Sequence, residues 1–180
     1  SLADAGLVIT LFGVGAVFGA LMSGFFIKKL GFRAVQILTS IFSGLLFIFF
    51  AKVTDFQLLC VVAVLIGFFS EAFRPANFTA IAYYSKPKMM TKSYSLNRFA
   101  VNLGMGLGTA LGGILASIDY HLLFFVEGFT YIFVGILIIM LLPKIEIIKK
   151  DKTENQISTA KSPWKDVLYL KFLFLILIYI

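Results

Sequence analysis

Two opposite charges stand in the middle of an apolar stretch, which makes Glu71 and Arg74 the first candidates for chemistry. Residues three apart on a helix share a face, so the carboxylate and the guanidinium are expected to form an ion pair. Pro75 has no backbone N–H, so the carbonyl oxygen of Glu71, four residues earlier, loses its helical partner and the helix is expected to kink. Phe78 lies further along the same face and is a candidate contact for a hydrophobic substrate.

Charged side chains inside membrane helices are costly, at about 2.5 kcal/mol or more, and as a rule they are functional. A carboxylate beside a guanidinium stays ionised, and a conformational change that separates the two favours protonation of the acid. We therefore predict a proton-coupling or substrate-binding site at Glu71 and Arg74. The alternative is a structural ion pair that only orients its helix. Glu127, near the end of another apolar stretch, is expected to have a solvated or structural role.

The elements that must position this pair are long apolar segments. The chain of 180 residues is 60% hydrophobic and 14% charged, with a mean hydropathy of +0.98, whereas ordinary soluble domains are about 25% charged. Apolar runs of about 20 residues are long enough to cross a bilayer as helices. The sequence predicts an all-α, polytopic membrane helical bundle. Its five complete spans are expected at 7–27, 34–51, 56–84, 93–117 and 122–142.

The distribution of positive charge predicts the orientation of these spans. Fourteen of the 16 Lys and Arg residues lie in or beside the first, third and fifth loops, whereas the second loop has only Lys52. Because positively charged loops stay in the cytoplasm, these three loops are expected there. The chain begins at Ser1 without a methionine and ends within an apolar run, so we expect it to be incomplete, with a truncated last helix.

Nothing in the sequence predicts an enzyme. The chain has one cysteine, Cys60, and one histidine, His121, so no metal-ligand cluster and no nucleophile–base pair is expected. We predict no metal, no cofactor and no nucleic-acid partner, because the net charge of +7 is explained by the basic loops.

The fourth span is rich in glycine and has two distinct faces, about 120° apart at about 3.6 residues per turn. Small residues let a second helix approach closely, so the first face is a predicted packing surface. It consists of Gly104, Gly108 and Gly112. The second face is polar and includes Asn102 and Thr109, which are predicted to hydrogen-bond a neighbouring helix, with substrate as the alternative partner. Asn102 is retained as a candidate substrate contact.

Two motifs resemble the major facilitator superfamily and, within it, the drug/proton antiporter branch. In the fourth span, Gly104-x3-Gly108-Thr109-x2-Gly112-Gly113 is similar to the antiporter motif of the family's helix 5, G-x3-G-P-x2-G-G, with Thr109 in place of proline. In the first loop, Gly24-x3-Lys28-Lys29-x-Gly31-x-Arg33 is similar to the signature between helices 2 and 3, G-x-L-x-D-R-x-G-R-R, with Lys28 at the acidic position.

The resemblance implies a twelve-helix fold whose two halves rock about a central cavity. Residues 1–143 would be the N-terminal half without its first helix, 144–165 a basic cytoplasmic linker, and 166–180 the start of the first helix of the C-terminal half. The helix of Glu71 would face the cavity, and the glycine-rich helix would lie where the halves meet. The loop that contains Lys28, Lys29 and Arg33 would supply gating contacts.

Three functions are compatible with these features. The first is proton-coupled export of small hydrophobic compounds by alternating access, in the cytoplasmic (inner) membrane of a bacterium. Its partners would be a small-molecule substrate, the proton as coupling ion, the lipid bilayer and the missing C-terminal half. The second is a facilitator or importer of a polar metabolite or lipid, which the departures at Thr109 and Lys28 favour. The third is a membrane scaffold that associates through its glycine faces without transporting anything.

Overall fold

The computed structural model describes residues 2–143, and these form five long α-helices joined by short turns. Each helix is long and apolar enough to cross a bilayer. The helices are α1 (Leu2–Leu30), α2 (Phe32–Phe50), α3 (Phe56–Tyr84), α4 (Met90–Ile118) and α5 (Tyr120–Leu141). The predicted linker at 144–165 and the predicted helix start at 166–180 lie outside the described residues. The all-α membrane bundle that the composition predicts is confirmed.

The predicted spans correspond one to one with the helices, but several of their ends were wrong. The limits of α3 agree with the prediction, whereas α4 begins at Met90, inside the predicted loop at 85–92. Pro87 begins a short 3-10 helix that leads directly into α4. The polar first turns of α4 are therefore helical, although the sequence predicts a loop there. At about 1.5 Å per residue, the 29 residues of α4 extend about 44 Å, more than the hydrocarbon core of about 30 Å.

Local chemistry explains where the helices start. Asp55 caps α3, since its carboxylate accepts a hydrogen bond from the N–H of Leu58 at 3.0 Å. Asp119, the single residue between α4 and α5, accepts one from the N–H of His121 at 2.8 Å. Gly31, the single residue between α1 and α2, has a φ of 81°, a conformation that residues with a Cβ rarely adopt.

Glycines bring α1 and α3 into backbone contact. Gly15 and Gly19 of α1 are buried, and a Cβ added to them would meet the carbonyl oxygens of Val64 and Phe68, respectively. In the reverse direction, a Cβ added to Gly67 of α3 would meet the carbonyl oxygen of Phe12 in α1. Because lipid tails are as apolar as the helices themselves, this close packing holds the two helices together.

On the other side of α3, helix α2 packs between α3 and α5. A Cβ on Gly44 of α2 would lie 2.6 Å from the carbonyl oxygen of Gly128 in α5, so these backbones also approach closely. The rings of Phe47 and Tyr131 stack across the same interface, with centroids 5.5 Å apart. The side chains of α2 and α3 meet at Phe42 and Phe69, which also stack.

Helix α4 lies at the periphery of the described bundle. None of its residues is buried among residues 2–143. It reaches α3 through Tyr94, whose hydroxyl donates to the carbonyl oxygen of Phe78 at 3.3 Å. It approaches α5 near Gly112, where a Cβ would lie 3.5 Å from the side chain of Leu123.

Candidate functional site

The structure confirms that Glu71 and Arg74 pair. Nε of Arg74 lies 3.2 Å from Oε2 of Glu71, one turn earlier on α3. The Glu71 side chain is 26% exposed and the Arg74 side chain 69%. The carboxylate is therefore held against the bundle, while most of the guanidinium side chain extends from it and is able to change partners.

Pro75 removes one backbone hydrogen bond beside this pair without ending the helix. The helix α3 is continuous from Phe56 to Tyr84 with Pro75 inside it. Thr79 donates its hydroxyl hydrogen to the carbonyl oxygen of Pro75 at 2.8 Å. Since proline has no N–H, the carbonyl oxygen of Glu71 is a backbone acceptor next to its own carboxylate. The kink that the sequence predicts stays a prediction.

Phe78 lies where the face of α3 that carries the ion pair meets α4. Its side chain is 49% exposed, and its ring centroid is 5.9 Å from that of Tyr94 in α4. The hydroxyl of Tyr94 is bound to the backbone of Phe78. An apolar, partly open surface is thus available two turns from Glu71, and the role of Phe78 as a substrate contact stays a prediction.

The sequence analysis did not single out two polar residues that lie near the ion pair. Tyr131 of α5 is close enough to Glu127, Glu71 and Arg74 to interact with them electrostatically, and its hydroxyl lies near that of Ser70. The hydroxyl of Ser70 in turn lies 3.4 Å from that of Ser43 in α2. Ser70 is adjacent to Glu71 in the sequence, which was a usable signal. Tyr131 is one of many aromatic residues, and only the packing of α5 beside α3 singles it out.

The predicted packing face of α4 meets little of the described chain. A Cβ on Gly104, Gly108 or Gly113 would have no atom of residues 2–143 within 4 Å. Among the motif glycines only Gly112 has a neighbour at that range, at 3.5 Å. The packing role of this motif therefore stays a prediction, and any partner for it must come from outside the described residues.

The polar face of α4 takes no part in the contacts of the ion pair within residues 2–143. Thr109 donates its hydroxyl hydrogen to its own helix, at 2.6 Å from the carbonyl oxygen of Met105, as is usual for threonine in a helix. The bond to a neighbouring helix that the sequence favours stays a prediction. Asn102 is exposed and, within residues 2–143, makes no hydrogen bond with Glu71 or Arg74.

The basic motif between α1 and α2 is held by contacts at one end of the bundle. The ammonium group of Lys29 lies 4.8 Å from the centre of the Phe25 ring, at cation–π distance. Arg33 donates to the carbonyl oxygen of Ile139 at 3.0 Å. That oxygen is in the last turn of α5, where carbonyls lack helical partners and a cation is favourable. Gly24 and Lys28 are exposed and less constrained, whereas Gly31 has the positive φ described above.

The described residues form five membrane-length helices, and one of these carries an ion pair. Comparison with known proteins identifies the family. Residues 1–180 match the Major Facilitator Superfamily. The chain belongs to this superfamily. Its helices agree with the N-terminal half of the superfamily's helical bundle, which confirms the predicted fold class. The drug/proton antiporter branch and the placement of these spans as helices 2–6 stay predictions.

A curated relative supports the same assignment. The chain is 31% identical over 135 residues to YttB of Bacillus subtilis (strain 168), an uncharacterized MFS-type transporter. This alignment covers 73% of the chain and 33% of YttB. The chain therefore spans about a third of the length of the curated relative it matches.

Proposed function

We propose that the full-length protein is a secondary active transporter that exports small hydrophobic compounds in exchange for protons, by alternating access, in a bacterial cytoplasmic membrane. The observation that carries this proposal is the ion pair between Glu71 and Arg74 inside a membrane helix of a major facilitator superfamily member. Ionisable groups at such positions commonly form proton relays or bind substrate.

Exchange follows from competition for one carboxylate. While Arg74 is 3.2 Å from Glu71, the guanidinium occupies the carboxylate. When a change of conformation draws Arg74 away, Glu71 takes either a proton or a hydrophobic cation that approaches along Phe78. Because the proton and the cation neutralise the same charge, they do not bind together. Each passage of the substrate in one direction is then matched by a proton in the other.

The surroundings of the pair suit this role. Arg74 is the more exposed partner, so it separates from Glu71 without rearranging the buried side of α3. The hydroxyls of Tyr131 and Ser70 lie beside the pair. They supply polar contacts that stay in place when the pair opens, which limits the cost of holding a single charge at that depth.

Import of a polar metabolite or lipid, or facilitated passage of one, is the second candidate. It is favoured by Thr109 and Lys28, which replace the proline and the acidic residue of the motifs they resemble. In a proton-driven importer the proton and the substrate move in the same direction, whereas in a facilitator no proton moves. Membership of the superfamily favours either form of transport over the third candidate, a membrane scaffold.

Transport by the full-length protein in proteoliposomes tests the proposal. The probe is tetraphenylphosphonium, a lipophilic cation, and the driving force is an imposed pH gradient. We expect wild-type protein to move the probe against the proton flow and Glu71→Gln to reduce this flux at least tenfold, since glutamine carries no proton.

Asp55→Asn is the matched control, because it also turns a carboxylate into its amide, and asparagine still caps α3. It is expected to leave the flux within twofold of the wild type. Unchanged proton-driven flux in Glu71→Gln would remove Glu71 from coupling. Movement of the probe and the proton in the same direction would replace export by import.

A further inference from the structure

Three side-chain amides form a row across α2, α3 and α4. Nε2 of Gln36 lies 3.5 Å from Oδ1 of Asn77, and Nδ2 of Asn77 donates to Oδ1 of Asn97 at 3.1 Å. Nothing in the sequence singles out these residues, because they come together only when the three helices pack. The row is separate from the ion pair at Glu71, and its role is independent of the proposed function.

The row ends on an acceptor that has no partner. Gln36 is only 3% exposed, and its Oε1 is buried without a hydrogen bond among the described residues. Buried polar atoms are almost always paired, and one that is not calls for a specific explanation. A hydrogen-bond donor from a ligand or from a water molecule would satisfy this acceptor.

The three amides line a cleft of about 690 Å³ between α3, α4 and α5. This volume is within the range of about 300–1,000 Å³ that is usual for small-molecule sites. Its walls are mainly apolar and include Phe73, Ala80 and Ile138. Lys86 also lines the cleft, whereas no carboxylate of the described residues does. Charge complementarity therefore favours a ligand with an apolar body and a negative group.

The depth of these groups matches the surface of a bilayer. A helix of 29 residues such as α3 is about 44 Å long, so each end projects about 7 Å beyond a hydrocarbon core of about 30 Å. Asn77 is seven residues, or about 10 Å, from the end of α3. The amides are thus near the boundary between hydrocarbon and head groups, and Lys86 lies beyond them, past the end of α3.

We propose that this cleft binds an anionic lipid with a single acyl chain, of the lysophospholipid type. Its phosphate pairs with Lys86 and its acyl chain lies against Phe73. Its free glycerol hydroxyl donates to Oε1 of Gln36 once this buried amide turns into the cleft that it lines. In such a lipid the hydroxyl is next to the phosphate and on its hydrocarbon side, which is the order in which Gln36 and Lys86 occur along the cleft. A diacyl phospholipid has an ester at that carbon and has no hydrogen to donate.

Binding to the purified full-length protein, measured by native mass spectrometry, tests this proposal. The probes are 1-oleoyl-lysophosphatidic acid and dioleoyl phosphatidic acid, which differ at that hydroxyl. We expect the monoacyl lipid to bind at least fivefold more tightly, the factor for about one neutral hydrogen bond. Soluble glycerol 3-phosphate is expected not to compete, because it lacks the acyl chain.

Two variants and two controls separate this site from general lipid adhesion. Gln36→Leu is expected to abolish the preference for the monoacyl lipid, and Lys86→Ala to weaken both lipids about five- to tenfold. Lys88→Ala is the matched control, because Lys88 lies in the same short turn but does not line the cleft. Gln57→Leu is the matched control for Gln36, since it makes the same change at an exposed amide outside the cleft. Both controls are expected to bind like wild type.

Each remaining outcome would overturn the proposal. Equal binding of the two lipids, or an unchanged preference in Gln36→Leu, would mean that Gln36 does not read the hydroxyl. Competition by glycerol 3-phosphate would indicate a site for a soluble organophosphate instead. No lipid bound by wild-type protein would mean that another part of the protein fills the cleft. Lys86→Ala keeps the test decisive if Gln36→Leu does not fold, since Lys86 is exposed.

Discussion

Substitution of Gly19 by alanine is expected to destabilise the contact between α1 and α3 on which the described bundle is built. The added Cβ would meet the carbonyl oxygen of Phe68, which is backbone and unable to rotate away. The helices must therefore separate, and the contacts at Gly15 and Gly67 are loosened with them. Overpacking of this kind costs about 1–3 kcal/mol.

The same substitution at Gly13 provides a matched control on the same helix. A Cβ on Gly13 would meet no described atom within 4 Å. Gly13→Ala therefore adds no clash with the described residues. Its expected effect is the higher helix propensity of alanine, which stabilises a helix by up to about 1 kcal/mol relative to glycine. The two variants differ by six positions in one helix and are expected to change stability in opposite directions.

Thermal unfolding of the detergent-solubilised full-length protein, followed by size-exclusion chromatography after heating, measures this difference. The shift is about 2–4 °C per kcal/mol for 150–250 residues and smaller for a longer chain, so Gly19→Ala is expected to lower the melting temperature by several degrees at most. Gly13→Ala is expected to leave it unchanged or slightly higher. Equal melting temperatures for the two variants would refute the close approach of α1 and α3 at Gly19.

Two further substitutions test local features. Gly31→Ala is expected to cost about 1–2 kcal/mol of stability, because the φ of 81° is unfavourable for a residue with a Cβ, and the melting temperature should fall. Gly24→Ala is the control and is expected to leave the melting temperature unchanged, because a Cβ there would have no described atom within 4 Å. Tyr131→Phe keeps the ring stacked on Phe47 but removes the hydroxyl beside Ser70. Proton-driven transport is therefore expected to slow several-fold at an unchanged melting temperature. Transport at the wild-type rate would show that the hydroxyl has no part in coupling.

What the sequence predicts well is what depends on short stretches of chain. The pair at Glu71 and Arg74 follows from their spacing on one helix, and the limits of α3 follow from the cap at Asp55 and the polar turn after Tyr84. The start of α4 was wrong because its polar first turns look like a loop, although a helix longer than the hydrocarbon core has polar ends as well.

Which glycines pack depends on the arrangement of the helices, so spacing alone does not reveal it. Gly15 and Gly19 are four residues apart, as are Gly104 and Gly108. The first pair contacts the backbone of α3, while a Cβ on the second pair would meet nothing within residues 2–143. The contact of Tyr131 with Ser70 likewise joins residues of α5 and α3 that are far apart in the chain.

Proton release on substrate binding tests the central claim, that Glu71 carries the exchanged proton, most directly. Tetraphenylphosphonium is added to purified full-length protein in weakly buffered solution, at a pH where the free carrier is protonated, and a pH indicator follows the protons. Wild-type protein is expected to release about one proton per cation bound, because the two compete for one carboxylate. Glu71→Gln is expected to release none at saturating probe, and the same release from wild type and variant would contradict the claim.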